Sequence, residues 1–327
     1  MSGQEAAAYW STAPGVGEIR PVRLRSAGPG DVQVRALWSG ISRGTEALVT
    51  LGRVPRSQWG QMAAPFQEGG FEFPLKYGYS SVGAVEAGPA ELLGRMVFCL
   101  YPHQTRYVVP ASAVIPLPDG LPPERAVLAA NMETALNAVW DSGAAAGQRI
   151  IVIGAGVVGA MLAHLCGRLP GAEVTLVDVD AARAALAAAL GVSFAHPDAL
   201  SGDADLVFHA SGSPAGLRTA LRVAGNEARV VEASWYGAAE VALPLGEAFH
   251  SRRLVILSSQ VGQVATPMRA RWSHARRLAK ALELLRDPAL ERLVSGEAEF
   301  GDLPELLPRL ARHPDGALCV RIRYPQP

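Results

Sequence analysis

Between Arg149 and Ser258 the chain alternates short apolar runs with stretches of helical periodicity, and that alternation leaves few folds open. Arg149–Ile153 reads as a strand and Val157–Leu169 as a helix. Glu173–Val177 and Ala181–Leu190 repeat the pair, as do Asp205–Ala210 and Pro214–Val223. Ala228–Ala233 and Leu254–Ser258 add two more strands. Strands that are apolar on both faces need cover on both faces, and strand–helix–strand crossovers make neighbouring strands parallel. The expected fold class is therefore α/β, with a Rossmann-type doubly wound parallel sheet.

The first strand–helix turn carries the chemistry. Gly154-Ala-Gly156-Val157-Val158-Gly159 is a G-x-G-x-x-G sequence directly after a strand and opening a helix. In that context Gly154 permits a tight turn, Gly156 lets a pyrophosphate approach the backbone, and Gly159 lets helix and strand touch. The helix N-terminus offers free N–H groups and a positive dipole end to the phosphates. Asp178 ends the next strand roughly 20 residues on, where a carboxylate binds ribose hydroxyls and repels a 2′-phosphate. NAD is expected over NADP, with Arg183 nearby as the residue that softens the preference. Ser211 ends the third strand and faces the same crevice.

The first 120 or so residues read differently. Arg20–Leu24, Val32–Leu37, Ser81–Glu86, Arg95–Leu100 and Thr105–Val109 are short strands broken by turn residues. Thr50–Phe71 is a long irregular stretch with Pro55, Pro65, Gly69 and Gly70, the kind of loop that is usually functional or mobile. Prolines at 116, 118, 122 and 123 mark a boundary. Glu124–Asp141 then reads as a helix. After the α/β run come helix Ser273–Leu285, helix Leu303–Ala311 and strand Ala317–Tyr324. The expected division is a β-rich domain of 1–121 with 266–327, and a dinucleotide-binding domain of 122–265.

Composition removes several classes. Thirty basic residues balance thirty acidic ones, so the basic excess of a nucleic-acid binder is missing. Hydrophobic residues make up 49%, enough for a large core. Cys99, Cys166 and Cys319 are the only cysteines, which excludes a disulfide framework and a four-thiolate zinc site. The first residues show neither a basic nor an apolar signal segment, and no apolar run reaches the ~20 residues of a spanning helix. A cytoplasmic protein is expected, with no membrane partner.

A β-rich domain of this size, followed by a dinucleotide domain to which the chain adds a final return, resembles the medium-chain dehydrogenase/reductase superfamily. Ser39-Gly-Ile-Ser-Arg-Gly-Thr-Glu46 looks like the superfamily's substrate-side loop, and Gly78-Tyr-Ser-Ser-Val-Gly83 stands where zinc-dependent members have Gly-His-Glu. Together with Trp235-Tyr-Gly237, Phe249-His250, Arg252-Arg253-Leu254 and Ser258-Ser-Gln-Val261, these segments are similar to a subgroup named for bacteriochlorophyllide a dehydrogenase. The resemblance implies a GroES-like catalytic domain beside the Rossmann domain, hydride transfer to or from a nicotinamide, and a possible homodimer through the Rossmann domain.

It also implies a departure. At the positions of the superfamily's catalytic zinc ligands this chain has Ser42, Tyr79 and approximately Ala130. Hydroxyls are poor zinc ligands at neutral pH and alanine is none, so no zinc is expected. A positioned side chain must then manage the proton. The candidates are Tyr79 and Ser42, Lys76 as the cation that lowers a tyrosine pKa, and His103 beside the substrate cleft. The resemblance further implies that Arg43 contacts the pyrophosphate, that Thr134 lies near the nicotinamide, and that Tyr101, Trp235, Tyr236 and His250 line the substrate. Arg269, Arg271, Arg276 and Arg277 around Trp272 read as a solvated helix face. The leading expectation is a zinc-independent NAD(H) oxidoreductase of an alcohol/ketone pair. The alternatives are an NADPH-dependent quinone or enone reductase and a cofactor-binding protein without catalysis.

Overall fold

The computed structural model describes residues 5–326, whose contacts divide them into two compact units. One holds the residues up to Ala130, Leu282–Arg286 and Val294 onward; the other holds Asn131–Ala281 and Asp287–Leu293. The expected boundaries at 121/122 and 265/266 both fall inside these units. Helix α7 (His274–Leu284) explains most of the second difference. Arg277 on it is 1% exposed and reaches Glu133 and Asn137 on α3 (Ala129–Ser142) and the carbonyls of Val261 and Gln263. It is therefore a buried clamp within the dinucleotide unit, and not part of a solvated face.

In that unit the sheet runs β12 (Ser193–Ala195), β11 (Glu173–Val177), β10 (Arg149–Ile153), β13 (Ala204–His209), β14 (Ala224–Glu232), β15 (Val255–Ser258), all parallel. The order reverses between β10 and β13, and ligands of such sheets bind at that switch, outside the strands' C-terminal ends. Helices α4 (Val157–Cys166), α5 (Arg183–Leu190) and α6 (Pro214–Val223) supply the crossovers. Ile153, Val177, Val207, Leu217, Leu221 and Val230 are buried together in one core.

The other unit is β-rich and GroES-like. Its larger sheet runs β16 (Val294–Glu299), β17 (Cys319–Arg323), β3 (Asp31–Gly40), β6 (Ser81–Ala87), β7 (Met96–Cys99), β9 (Val114–Pro116), with β8 (Arg106–Pro110) also paired to β3. A smaller sheet runs β2 (Val16–Arg23), β1 (Glu5–Ala13), β5 (Leu75–Lys76), β4 (Glu68–Gly69). Helix α1 (Arg43–Thr50) follows β3 and α8 (Leu303–Arg312) precedes β17. The expected helix Glu124–Asp141 is two helices, α2 (Pro123–Ala126) and α3. Among the described residues no helix is long and apolar enough to cross a membrane.

Candidate active site

The glycine turn between β10 and α4 is shaped for close approach. Gly154 has φ +103, and a Cβ there would lie 2.7 Å from the backbone of Ser211. A Cβ on Gly159 would lie 1.8 Å from the Gly154 carbonyl oxygen. Over Gly156 nothing comes within 4 Å of where a Cβ would sit, so the first turn of α4 is open on that side. Gly156 caps α4 without a side chain, which leaves the N–H groups of Val157, Val158 and Gly159 without a side-chain cap. Asp178 braces this turn: one carboxylate oxygen accepts the Ala155 N–H at 2.7 Å and the other the Asp180 N–H at 3.0 Å. Each oxygen keeps a lone pair for a ribose hydroxyl. Arg183 forms an ion pair with Asp180 at 3.4 Å, so part of its charge is answered within the loop. The tight glycine contacts, the open side and the capped carboxylate together fit a dinucleotide.

In the β-rich unit, a buried polar network forms where β3, α1, the β5–β6 turn and the segment after β7 meet. Ser42 opens α1, and its N–H donates to Glu46 Oε1 at 2.7 Å, one helical turn on. Glu46 Oε2 pairs with His103 Nε2 at 3.0 Å. His103 Nδ1 lies 2.7 Å from Ser39 Oγ, which lies 3.0 Å from the Tyr324 hydroxyl. Glu46 and His103 are 2% and 1% exposed. An ionised Glu46 is acceptor-only, so His103 Nε2 carries a proton toward it and a neutral imidazole accepts at Nδ1. Half-buried Tyr79 stands beside this network. Burial and the Glu46 charge push its hydroxyl up to about 12, against hydrogen bonds with Ser42 and Thr45 that pull it down.

These positions test the superfamily's zinc. Ser42 and Tyr79 carry hydroxyls that are engaged with their neighbours, and buried Ala130 offers no donor. Among the described residues no group of three His, Cys, Asp or Glu is placed to hold a metal. Cys99, Cys166 and Cys319 are all buried, and burial pushes their thiols up to about 12. The residues at this site do not fit the ion.

Several expected residues lie elsewhere than anticipated. Lys76 is not among the groups that shift Tyr79, whose pKa is raised and not lowered. It is fully buried, paired with Glu68 across the β4–β5 ladder and with Gln104 at 2.6 Å, and burial lowers its pKa. Tyr101 is not a cleft residue: it stacks on Tyr107 at 3.9 Å inside the core. His103 is wholly buried, so it reaches solvent or substrate only through its partners. Tyr236 turns its hydroxyl to Glu232 at 3.0 Å. His250 is exposed, while Trp235, Thr134 and Arg43 are half-buried. The Ser211 backbone stands next to Gly154. Ser39, Thr45 and Glu46 lie in the segment compared with the superfamily's substrate-side loop but were given no role of their own there, and Tyr324 was read only as the end of a strand. Only Glu46 left a signal in the sequence, four residues after Ser42 on one helix face.

No family model matches the chain. It is 30% identical over 214 residues to the 2-desacetyl-2-hydroxyethyl bacteriochlorophyllide A dehydrogenase of Rhodobacter capsulatus, a match spanning 58% of this chain and 61% of that protein. The match thus covers less than two thirds of the relative. Solved structures agree over nearly the full length. A protein from Sinorhizobium meliloti 1021 described as a zinc-binding dehydrogenase, bound to NADP, superposes with TM-score 0.77 at 18% identity, covering 98% of this chain and 99% of that one. An Escherichia coli CFT073 alcohol dehydrogenase complexed with NADH gives 0.77 at 15% identity, covering 98% and 100%. The chain has the fold of the medium-chain dehydrogenases/reductases, a Rossmann sheet with a GroES-like domain.

Proposed function

We propose that this protein is a zinc-independent, NAD(H)-dependent oxidoreductase acting on an alcohol/ketone pair. The observation that carries the reading is the glycine turn braced by Asp178 and open over Gly156. When bound, the coenzyme supplies a hydride donor or acceptor at its nicotinamide. The chain's own residues handle the rest. The α4 N–H groups and dipole hold the pyrophosphate, and Asp178 holds a ribose and repels a 2′-phosphate. Tyr79 keeps its proton until about 12, so at neutral pH it donates a hydrogen bond to the oxygen of a carbonyl substrate. Ser42 and Thr45 orient that hydroxyl. Glu46, fixed by His103 and the Ser42 N–H, keeps the surroundings electronegative and the phenol neutral. The bacteriochlorophyllide relative supports a substituent of the hydroxyethyl/acetyl kind as substrate.

The neutral Tyr79 also favours a second reading, an enone or quinone reductase, because a held proton suits reduction better than oxidation. Titration of the protein with NADH and NADPH, followed by fluorescence, tests the first claim: NADH is expected to bind about tenfold tighter, near 1.4 kcal/mol. Equal or reversed affinity rejects NAD as the coenzyme. Metal analysis should give far less than one zinc per chain. Turnover with methyl ketones, enones and quinones then separates the two readings.

A further inference from the structure

Among the described residues, a cluster outside the polar network around Tyr79 also has the geometry of a reactive centre. At the C-terminal end of β13, His209 is fully buried and Ser211, two residues on, is exposed. Ser211 Oγ lies 2.6 Å from His209 Nε2. The opposite ring nitrogen, Nδ1, lies 2.8 Å and 3.0 Å from the two carboxylate oxygens of Glu232, at the end of the neighbouring strand β14. Glu232 is itself fixed by the Ser234 N–H at 2.7 Å and the Tyr236 hydroxyl at 3.0 Å.

The proton positions follow from the acceptors. Glu232 takes hydrogen bonds from three directions and acts as a carboxylate, so His209 Nδ1 carries the proton and a neutral ring leaves Nε2 as acceptor. The Ser211 hydroxyl proton then points into the imidazole. This is a serine, a base and a group that orients the base, at bonding distances throughout.

The first turn of α6 completes the arrangement. Ser213 caps that helix with no side-chain hydrogen bond and Pro214 follows it, so the N–H groups of Ala215 and Gly216 lack a side-chain cap. A Cβ on Gly216 would lie 2.4 Å from Ser211 Oγ and 2.7 Å from His209 Nε2. The helix backbone therefore touches the serine, and only glycine leaves the pair intact. Glycine inside a helix costs roughly 1 kcal/mol against alanine, so the contact has a local cost that the serine–histidine pair explains.

We propose that Ser211 is an activated nucleophile toward small activated esters, with His209 as base, Glu232 as the positioning residue and the α6 N-terminus as the oxyanion donor. Ser211 Oγ attacks the ester carbonyl and its proton passes to His209 Nε2. The ester C–O bond breaks and that proton leaves with the alcohol. Water then attacks the acyl-serine by the same route, releasing the carboxylic acid and restoring the serine.

The test uses the full chain without added nucleotide and a fluorophosphonate probe. Oγ attacks phosphorus, fluoride leaves, and the hydroxyl proton passes through His209 to solvent. Peptide mass spectrometry should place the adduct on Ser211. Ser211→Ala, a change at an exposed position, should remove that adduct. Glu232→Gln should slow labelling by roughly tenfold or more while Ser211 remains present. p-Nitrophenyl acetate should show a burst of nitrophenolate that Ser211→Ala abolishes. An unlabelled Ser211 in the wild-type chain, or labelling at an unchanged rate in Glu232→Gln, overturns the proposal. Because the wild-type protein gives the primary readout, misfolding of a variant does not shield it.

Discussion

The glycine turn and the Tyr79 network are built from opposite materials. The turn is backbone: its shape comes from three glycines within six consecutive residues, and one side chain, Asp178, braces it. The network is side chains: Ser39, Ser42, Glu46, Tyr79, His103 and Tyr324 come from four separate stretches of chain and meet only when the β-rich unit is folded. A backbone site fails by steric intrusion, all at once. A side-chain site fails by losing one partner and leaving the others unpaired. Substitutions in the two regions should therefore differ in kind as well as in size.

The largest effect belongs to the turn. Gly159→Val places carbon where the Gly154 carbonyl oxygen already stands, 1.8 Å from the new Cβ, and the two backbones must separate. NADH binding should fall below detection in a fluorescence titration, with a lowered melting temperature. If Gly159→Val binds NADH as tightly as the wild type, the backbone account of the turn is wrong.

Next comes the network's buried charge. Glu46→Ala strands the His103 Nε2–H and the Ser42 N–H at almost wholly buried positions. Leaving two buried donors unsatisfied costs about 1–3 kcal/mol each. Urea unfolding should show that loss, whereas coenzyme affinity should change little. A Glu46→Ala protein of wild-type stability would mean that water reaches the site and satisfies both donors.

The same contrast governs what could be read before folding. Arg149–Ile153, Glu173–Val177 and Pro214–Val223 are strands and a helix over the residues anticipated, since doubly covered strands are apolar throughout and Pro214 marks a first turn. The glycine spacing is local, so its function is written in consecutive residues. By contrast, β1 (EAAAYWSTA) was not anticipated, because alanine shows little of the alternation that burial imposes on it. The polar edge strand β16 (VSGEAE) was missed too; its alternation buries small residues only in part. Lys76 looked like a partner of Tyr79 because it lies three residues before it. The β4–β5 ladder, invisible in sequence, pairs it with Glu68 instead. The His103–Glu46 contact spans 57 positions and has no sequence signature at all.

Tyr79→Phe sharpens the comparison by removing one atom from the network. The ring and its edge contact with Tyr77 at 5.9 Å remain, so stability should hardly move. Carbonyl reduction should slow by about 10²-fold or more, the range for a lost proton donor or oxyanion partner. Wild-type reduction should keep its hydrogen-bond donor between pH 7 and 9, since Tyr79 stays protonated until about 12. Unchanged kcat in the phenylalanine variant would make Tyr79 a filler of the site.

The smallest effect sits where the two kinds of site overlap. Asp178 is a side chain doing a backbone's work, because its carboxylate accepts two loop N–H groups as well as facing the crevice. Asp178→Asn keeps the size and one acceptor oxygen while removing the charge. The loop should persist at a cost of about 1 kcal/mol for the weakened bond to Ala155 or Asp180. The repulsion of a 2′-phosphate disappears, so the preference for NADH over NADPH should shrink by roughly tenfold, about 1.4 kcal/mol, mostly through tighter NADPH. Paired titrations separate the outcomes. Equal weakening toward both coenzymes assigns Asp178 to the loop alone, whereas a changed ratio shows that its charge selects the ligand.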